Sequence, residues 1–306
     1  MRHRKPKIGL ALGSGSARGW SHIGVINALN ERGIEPDIIS GTSIGSLVGA
    51  AYADNKLNEL EAWVRELQWH DVISYFDISL EGGFITGKKL FKFLHAHFYD
   101  KNIEELEKPF GSVATDMNTG LEVWLREGSL LTAARASASM PGLFTPVKHD
   151  ERWLVDGGLV NPIPVSLCRA MGADIVIAVD LNATLMWKET TLHKTSTDNI
   201  HNDDPSLIHK LKQFKEKYWP SDVGKTLMEN RDEVPSIMEV LSMSLNIMQL
   251  RISRSRMAGD PPDILITPKL SNIDMLDFHR ANEMIEEGGN AVRRIENQLR
   301  FHHLIP

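Results

Sequence analysis

Apolar residues recur along this chain in two rhythms. Short unbroken runs such as IGLALG (8–13), DIIS (37–40) and DIVIAVDL (174–181) have the length and β-branched content of buried strands. Between them, apolar positions fall three or four residues apart. In WSHIGVINALNERG (20–33), Ile23, Ile26 and Leu29 predict a helix that stops at Gly33. Residues 43–53 continue the small-residue pattern SLVGAAYA as a second helix, and further helical patterns follow at 57–69 and 86–98. GSVATDMN and LEVWLREG (111–128) predict two strands around an Asn118–Thr119–Gly120 turn, LLTAARASA (130–138) a helix ending before Pro141, and WLVDGG (153–158) a strand ending in a glycine turn. IPVSLCRAMGA reads as a helix capped by Gly172, 236–257 as a Met- and Leu-rich core helix, DILITP (263–268) as a strand and 277–300 as a last helix.

Strands alternating with helices predict an α/β fold with a mostly parallel sheet flanked by helices. Three segments follow from the pattern: a core over 7–182, a polar excursion over 183–235 rich in Thr, Asp, His and Lys, and C-terminal helices and a strand over 236–306 that pack on the core. One stretch of the excursion, 207–219, places Leu207, Leu211, Phe214 and Tyr218 on one helical face, with Lys210, Lys212 and Lys217 off it. A helix of that kind suits either an ordinary packed face or a cover that opens on lipid.

Composition narrows the functional classes. The 306 residues carry a formal net charge of −6, which argues against a nucleic-acid partner. The lone cysteine, Cys168, excludes an internal disulfide. No apolar run reaches the length of a membrane span, so the expectation is a soluble, cytoplasmic protein, with peripheral contact at the inner face of a membrane left open. The twelve histidines fall at no metal-ligand spacing, and neither a dinucleotide fingerprint nor a P-loop is present, so no cofactor or metal is expected.

Three glycine-rich segments carry the candidate chemistry. GSGSARG (13–19) joins the first strand to the first helix, where backbone N–H groups point outward and bind anions. GTSIG (41–45) sets Ser43 between Gly41 and Gly45 on a strand–turn–helix, the bend that exposes a nucleophilic hydroxyl. Asp156–Gly157–Gly158 puts a carboxylate at a strand end. All three fall at strand C-terminal ends, where an open α/β sheet gathers its site. Jointly they supply oxyanion donors, a nucleophile and a base.

The order of these motifs resembles the patatin-like phospholipases, and LGSGSARGWSHIGVINAL is similar to their bacterial RssA-type branch, related to neuropathy target esterase. The resemblance covers 7–182 and extends to PPDILI and the C-terminal helix. It implies a patatin-like three-layer fold and a serine esterase or lipid acyl hydrolase, with a lipid or other ester as substrate. By matching motif, Ser43 is the nucleophile and Asp156 its dyad partner. The backbone amides of Ser14, Gly15 and Ser16 form the oxyanion hole, although serines stand at 14 and 16 in place of two of the family's three glycines. Arg18 suits a structural salt bridge, and His22 a hydrogen bond at the start of the first helix. Two other readings stand beside this one: a regulatory or scaffold protein with the same fold and little turnover, and a triad hydrolase using His279.

Overall fold

A computed structural model of the chain describes residues 5–75, 88–97, 101–184 and 237–306. The excursion beyond Thr184, including the amphipathic stretch 207–219, lies outside the described residues. The chain divides into two compact units, Met1–Trp187 with Leu245–Pro306 and Lys188–Ser244; of the second, only residues 237–244 are described, as the start of a helix.

The strands are β1 (Ile8–Leu12), β2 (Ile38–Thr42), β3 (Phe110–Asp116), β4 (Glu122–Leu125), β5 (Val147–His149), β6 (Arg152–Asp156), β7 (Ile175–Val179) and β8 (Ile264–Ile266). They form one sheet in the order β5-β6-β3-β2-β1-β7-β8, with β4 also paired to β3. The pairs from β3 across to β8 are parallel, while β4, β5 and β6 run antiparallel to their neighbours. The expected α/β architecture, a mostly parallel sheet flanked by helices, is therefore the fold observed.

The two-residue period of the strands explains the layers. Leu10 and Leu12 of β1 and Ile177 and Val179 of β7 enter one apolar core, together with α1 (Ser21–Asn30), α2 (Ile44–Ala53), α3 (Leu57–Glu66) and α9 (Ala281–Arg294). Ala11, Val176 and Ala178 point the other way, into a smaller core with Val165 and Cys168 of α7 (Val165–Ala170) and Met257 of α8 (Ile237–Gly259). Burial on both faces is why these strands read as continuous apolar runs. The remaining helices are α4 (Trp69–Tyr75), α5 (Lys88–His97), α6 (Leu130–Ser137) and α10 (Glu296–Phe301).

Several boundaries differ from the sequence reading. The 57–69 pattern breaks at Leu67, whose ψ of 124° ends α3 before α4 begins. The last helix divides at Ile295, where φ −107° and ψ 14° leave the helical region. The helix expected from Ile163 starts at Val165, because Pro164 stands in its N-cap position at ψ 53° and a residue preceding proline is pushed out of the helical region. The largest difference is α8. Read as a core helix, it leaves Ile247 and Met248 43% and 46% exposed and buries Gln249 and Ser253 beside Leu250. Gln249 of this inward face meets Ser14 and Asn182.

Candidate active site

Strand β2 runs two residues beyond its expected end, through Gly41 and Thr42, which pair with Ser112 and Val113 of β3. The turn is thereby compressed onto Ser43, which adopts φ 57° and ψ −124° directly before α2. A side chain in that region costs about 1–3 kcal/mol and marks an enforced conformation. The flanking glycines permit it. A Cβ on Gly41 would stand 2.5 Å from the Gly45 carbonyl oxygen, and one on Gly45 2.2 Å from that of Leu12.

Strand β3 also carries the partner. Thr42 lies opposite Val113, and Asp156, at the end of β6, lies opposite Ala114. Adjacent residues of one strand thus bring together side chains 113 positions apart in sequence. The Ser43 hydroxyl donates to Asp156 Oδ2 at 2.5 Å, while Asp156 Oδ1 accepts from the Gly158 N–H at 2.7 Å. Thr115 Oγ1 donates to the Asp156 carbonyl at 2.8 Å. Ser43 and Asp156 are both buried. Burial pushes the Asp156 carboxyl up to about 6, against the opposing donations from Ser43 and Gly158.

The glycine loop leaves β1 beside this pair. Gly13 N–H donates to the Val179 carbonyl at 3.1 Å, and Ser14 N–H to that of Pro162 at 2.8 Å. Ser14, one of the three expected oxyanion donors, thus has its amide on a backbone carbonyl. The amides of Gly15 and Ser16, the other two expected donors, donate to no described residue. Both serine hydroxyls are tethered: Ser14 Oγ donates to Gln249 Oε1 at 3.1 Å, and Ser16 Oγ to the Met275 carbonyl at 2.7 Å.

Gln249 of α8 also accepts from Asn182 Nδ2 at 3.1 Å, so one side chain joins the loop to the end of β7. Arg18 is buried; its Nε donates to the Gly15 carbonyl at 3.1 Å and its Nη2 to Asn246 Oδ1. Among the described residues it forms no ion pair, so the expected salt bridge gives way to a hydrogen-bonded brace. Burial lowers its guanidinium to about 10, which leaves it a cation at neutral pH. His22, held neutral by burial that lowers it to about 4, donates from Nε2 to the Gly13 carbonyl at 2.8 Å.

Ser43 opens onto an apolar cleft of about 820 Å³, counted out to solvent. Ile44, Leu47, Leu60, Trp63, Phe91 and Phe144 are among its walls, and Trp63 stacks on Phe93 with ring centres 5.0 Å apart. His279, the alternative base, lies on a 3₁₀ turn, Phe278–Arg280, with its ring edge-on to Trp69. The hydroxyl of Ser43 is directed to Asp156 instead.

The profile of the patatin-like phospholipase family matches residues 10–169, just over half of the chain. The chain belongs to the patatin-like phospholipase family. An uncharacterized NTE family protein of Mycobacterium tuberculosis is 32% identical over 326 residues, covering 92% of this chain and 89% of that one. Patatin-like phospholipase domain-containing protein 6 of Homo sapiens is 37% identical over 184 residues, 58% of this chain and 13% of its own length. The crystal structure of VipD from Legionella pneumophila overlays 96% of this chain and 67% of its own, with a TM-score of 0.43 and 13% identity. Members of this patatin-like family are lipid hydrolases. Among the described residues, no helix is long and apolar enough to cross a membrane.

Sequence reasoning passed over Ser137, Ser139, Asn182 and Gln249. Each acts as a partner to another residue's backbone or side chain, and none stands in a motif. A polar residue on the buried face of a Met-rich helix was the one available signal, and only for Gln249.

Proposed function

We propose that this chain is a serine hydrolase that cleaves carboxylic ester bonds of lipids through a Ser43–Asp156 dyad. The observation that carries the reading is the 2.5 Å hydrogen bond from Ser43 Oγ to Asp156 Oδ2 at the edge of an apolar cleft. In the first step Oγ attacks the ester carbonyl carbon while its proton passes to Asp156. The Gly15 and Ser16 amides receive the negative charge developing on the carbonyl oxygen. Collapse of the tetrahedral intermediate expels the alcohol, which takes the proton from Asp156. Water then attacks the acyl-serine, again giving a proton to Asp156, and collapse of the second tetrahedral intermediate releases the fatty acid and expels Ser43 Oγ, which takes that proton back.

A carboxylate of ordinary acidity is a weak base for this work. The upward displacement of Asp156 to about 6 by burial brings it close to neutral pH, where it is both ionised and a better proton acceptor. The cleft supports the substrate class. Its walls present aliphatic and aromatic side chains, which favour an acyl chain by about 0.8 kcal/mol for each methylene buried.

The decisive experiment is labelling by a fluorophosphonate probe together with a panel of lipid and short-chain esters. Wild type is expected to be labelled and to turn over esters, and Ser43→Ala to do neither while remaining folded. Ester turnover that persists in folded Ser43→Ala removes the dyad reading.

A further inference from the structure

The end of helix α6 holds both members of the pair by their backbones. Ser43 N–H donates to Ser137 Oγ at 2.8 Å, and Asp156 N–H donates to the Ser139 carbonyl at 3.0 Å. Ser137 and Ser139 are buried, so neither bond is shared with bulk water. We propose that Ser137 is a positioning residue, whose hydroxyl holds the nucleophile in its strained turn at the distance from Asp156 that the reaction needs. The proposal rests on the dyad reading above.

Three observations bear on it. Ser43 has a positive φ that a serine does not hold without restraint, and the amide donating to Ser137 is that residue's own N–H. Hydrogen bonds hold the peptides on both sides of Ser43, its own N–H on Ser137 Oγ and its carbonyl on the Ser46 and Leu47 N–H groups, and together these limit φ and so where Cβ and Oγ can point. The clamp is itself rigid. Ser129 Oγ caps the start of α6 by accepting from Thr132 N–H, and Ala138 N–H closes its end on the Ala134 and Arg135 carbonyls. Ser139 Oγ donates back to the Arg135 carbonyl at 2.8 Å. Finally, one clamped amide lies directly after β2 and the other is the last of β6, two strands that do not pair with each other. Residues 137–139 therefore form a second tie between them, beside the one through β3. Two ties on one pair restrict the Oγ–Oδ2 separation more tightly than either alone.

The test compares Ser137→Ala, Ser137→Thr and Ser112→Ala with wild type. Ser112 is the control, since its buried hydroxyl bonds to the Ala133 carbonyl of the same helix and to Ser46 Oγ without touching the pair. The measurements are the fluorophosphonate labelling rate and the kcat and KM for a short-chain ester, with circular dichroism to establish folding. Ser137→Ala is expected to lower kcat and the labelling rate by about ten- to a hundredfold with KM little changed. Ser137→Thr, which keeps the hydroxyl acceptor, restores both, and Ser112→Ala leaves both unaltered. Folded Ser137→Ala with wild-type labelling overturns the proposal but not the dyad. So does an equal slowing in Ser112→Ala, or a folded Ser137→Thr as slow as Ser137→Ala. Should Ser137→Ala not fold, Ser137→Cys, which keeps the volume with a weaker acceptor, is measured in its place and judged by the same criteria. Wild type that resists the probe, or Ser43→Ala that still takes it, overturns the nucleophile assignment, and this proposal falls with it.

Discussion

Ser43, Asp156 and the loop Gly13–Ser16 are held by directional contacts to strand ends and helix termini, whereas the cleft that Ser43 lines is held by side-chain packing. In the first region almost every named polar atom has one partner at a defined distance. In the second the contacts are ring on ring and methyl on ring: Trp20 lies edge-on to Trp63 at 6.4 Å, and Phe91 edge-on to Phe144 at 5.7 Å. Hydrogen bonds lose most of their strength within a few tenths of an ångström and some tens of degrees, while dispersion and apolar burial degrade gradually. The difference predicts a division of labour, in which changes to the polar region alter the chemical step and changes to the cleft alter which acyl chain is accepted.

The sharpest way to break that division is at Asp156. Asp156→Asn keeps the shape of the side chain, its oxygen still able to accept from Gly158 N–H, but removes the base. Turnover is expected to fall by about two to four decades, the usual worth of a positioned general base. Stability should move the other way. The folded chain retains a proton on Asp156 up to about pH 6, whereas the unfolded chain releases it near the ordinary value of 3.8. Between those values the folded state binds more protons, so stability declines as pH rises through the window, and the full cost is present above it. Removing that cost should stabilise the variant at pH 7.5 by on the order of 2–3 kcal/mol, or roughly 5 °C or more in Tm. The gain should vanish below about pH 4, where both states hold the proton. Thermal melts of wild type and variant across pH 4–8 check this. A variant less stable than wild type at pH 7.5 would mean that the ionised carboxylate is a net stabilising group.

A change in the cleft should behave differently. Leu47 lies one helical turn beyond Ser43 on α2 and forms part of the cleft wall. Leu47→Trp fills space an acyl chain would occupy without touching the polar contacts. Losing burial of three or four methylenes, at about 0.8 kcal/mol each, lowers kcat/KM for long-chain esters by roughly 50–200-fold. Acetyl or butyryl esters and fluorophosphonate labelling should change little. Equal loss on short and long chains would show that the cleft and the reacting pair are not separable.

The same contrast explains what could be read from the sequence. Gly41, Ser43, Gly45 and Asp156–Gly157–Gly158 stand out because a tight turn needs residues with small or absent side chains at fixed offsets. The buried strands β1 and β7 stand out because burial on both faces leaves no polar position. Ser137 and Gln249 carry no such mark. Their partners are 94 and 235 positions away, and one serine in an Ala-rich helix looks like any other. Strand β5 has three residues and is defined by its pairing with β6, not by a pattern of its own. The cleft residues are ordinary core residues of their helices, and only the assembled fold places them beside Ser43. The engagement of the Ser14 amide is invisible in the sequence for a related reason. A motif locates a loop, but which of its amides are engaged depends on a carbonyl, that of Pro162, that arrives from the far side of the sheet order.

The smallest effect is expected within the loop itself, at Ser16. Its φ of 53° is one that glycine adopts freely and that costs serine about 1–2 kcal/mol. Against this, its hydroxyl donates to the Met275 carbonyl at 2.7 Å, a bond worth about 0.5–1.5 kcal/mol net. Ser16→Gly relieves the first and forfeits the second, and it adds conformational freedom to the unfolded chain worth roughly another 0.5–1 kcal/mol. The sum lies between about 1.5 kcal/mol destabilising and about 1 kcal/mol stabilising, or roughly 6 °C in Tm at most. Ala17 N–H still donates to the same Met275 carbonyl, so the loop keeps its anchor and the Ser16 amide its direction. Labelling by fluorophosphonate should therefore stay within a few-fold of wild type. A fall of a hundredfold would show that the serine hydroxyl, and not the backbone alone, sets the geometry of the anion cradle. In that case the serine at 16 would be a functional replacement for glycine, with a cost in strain that its hydrogen bond exists to offset.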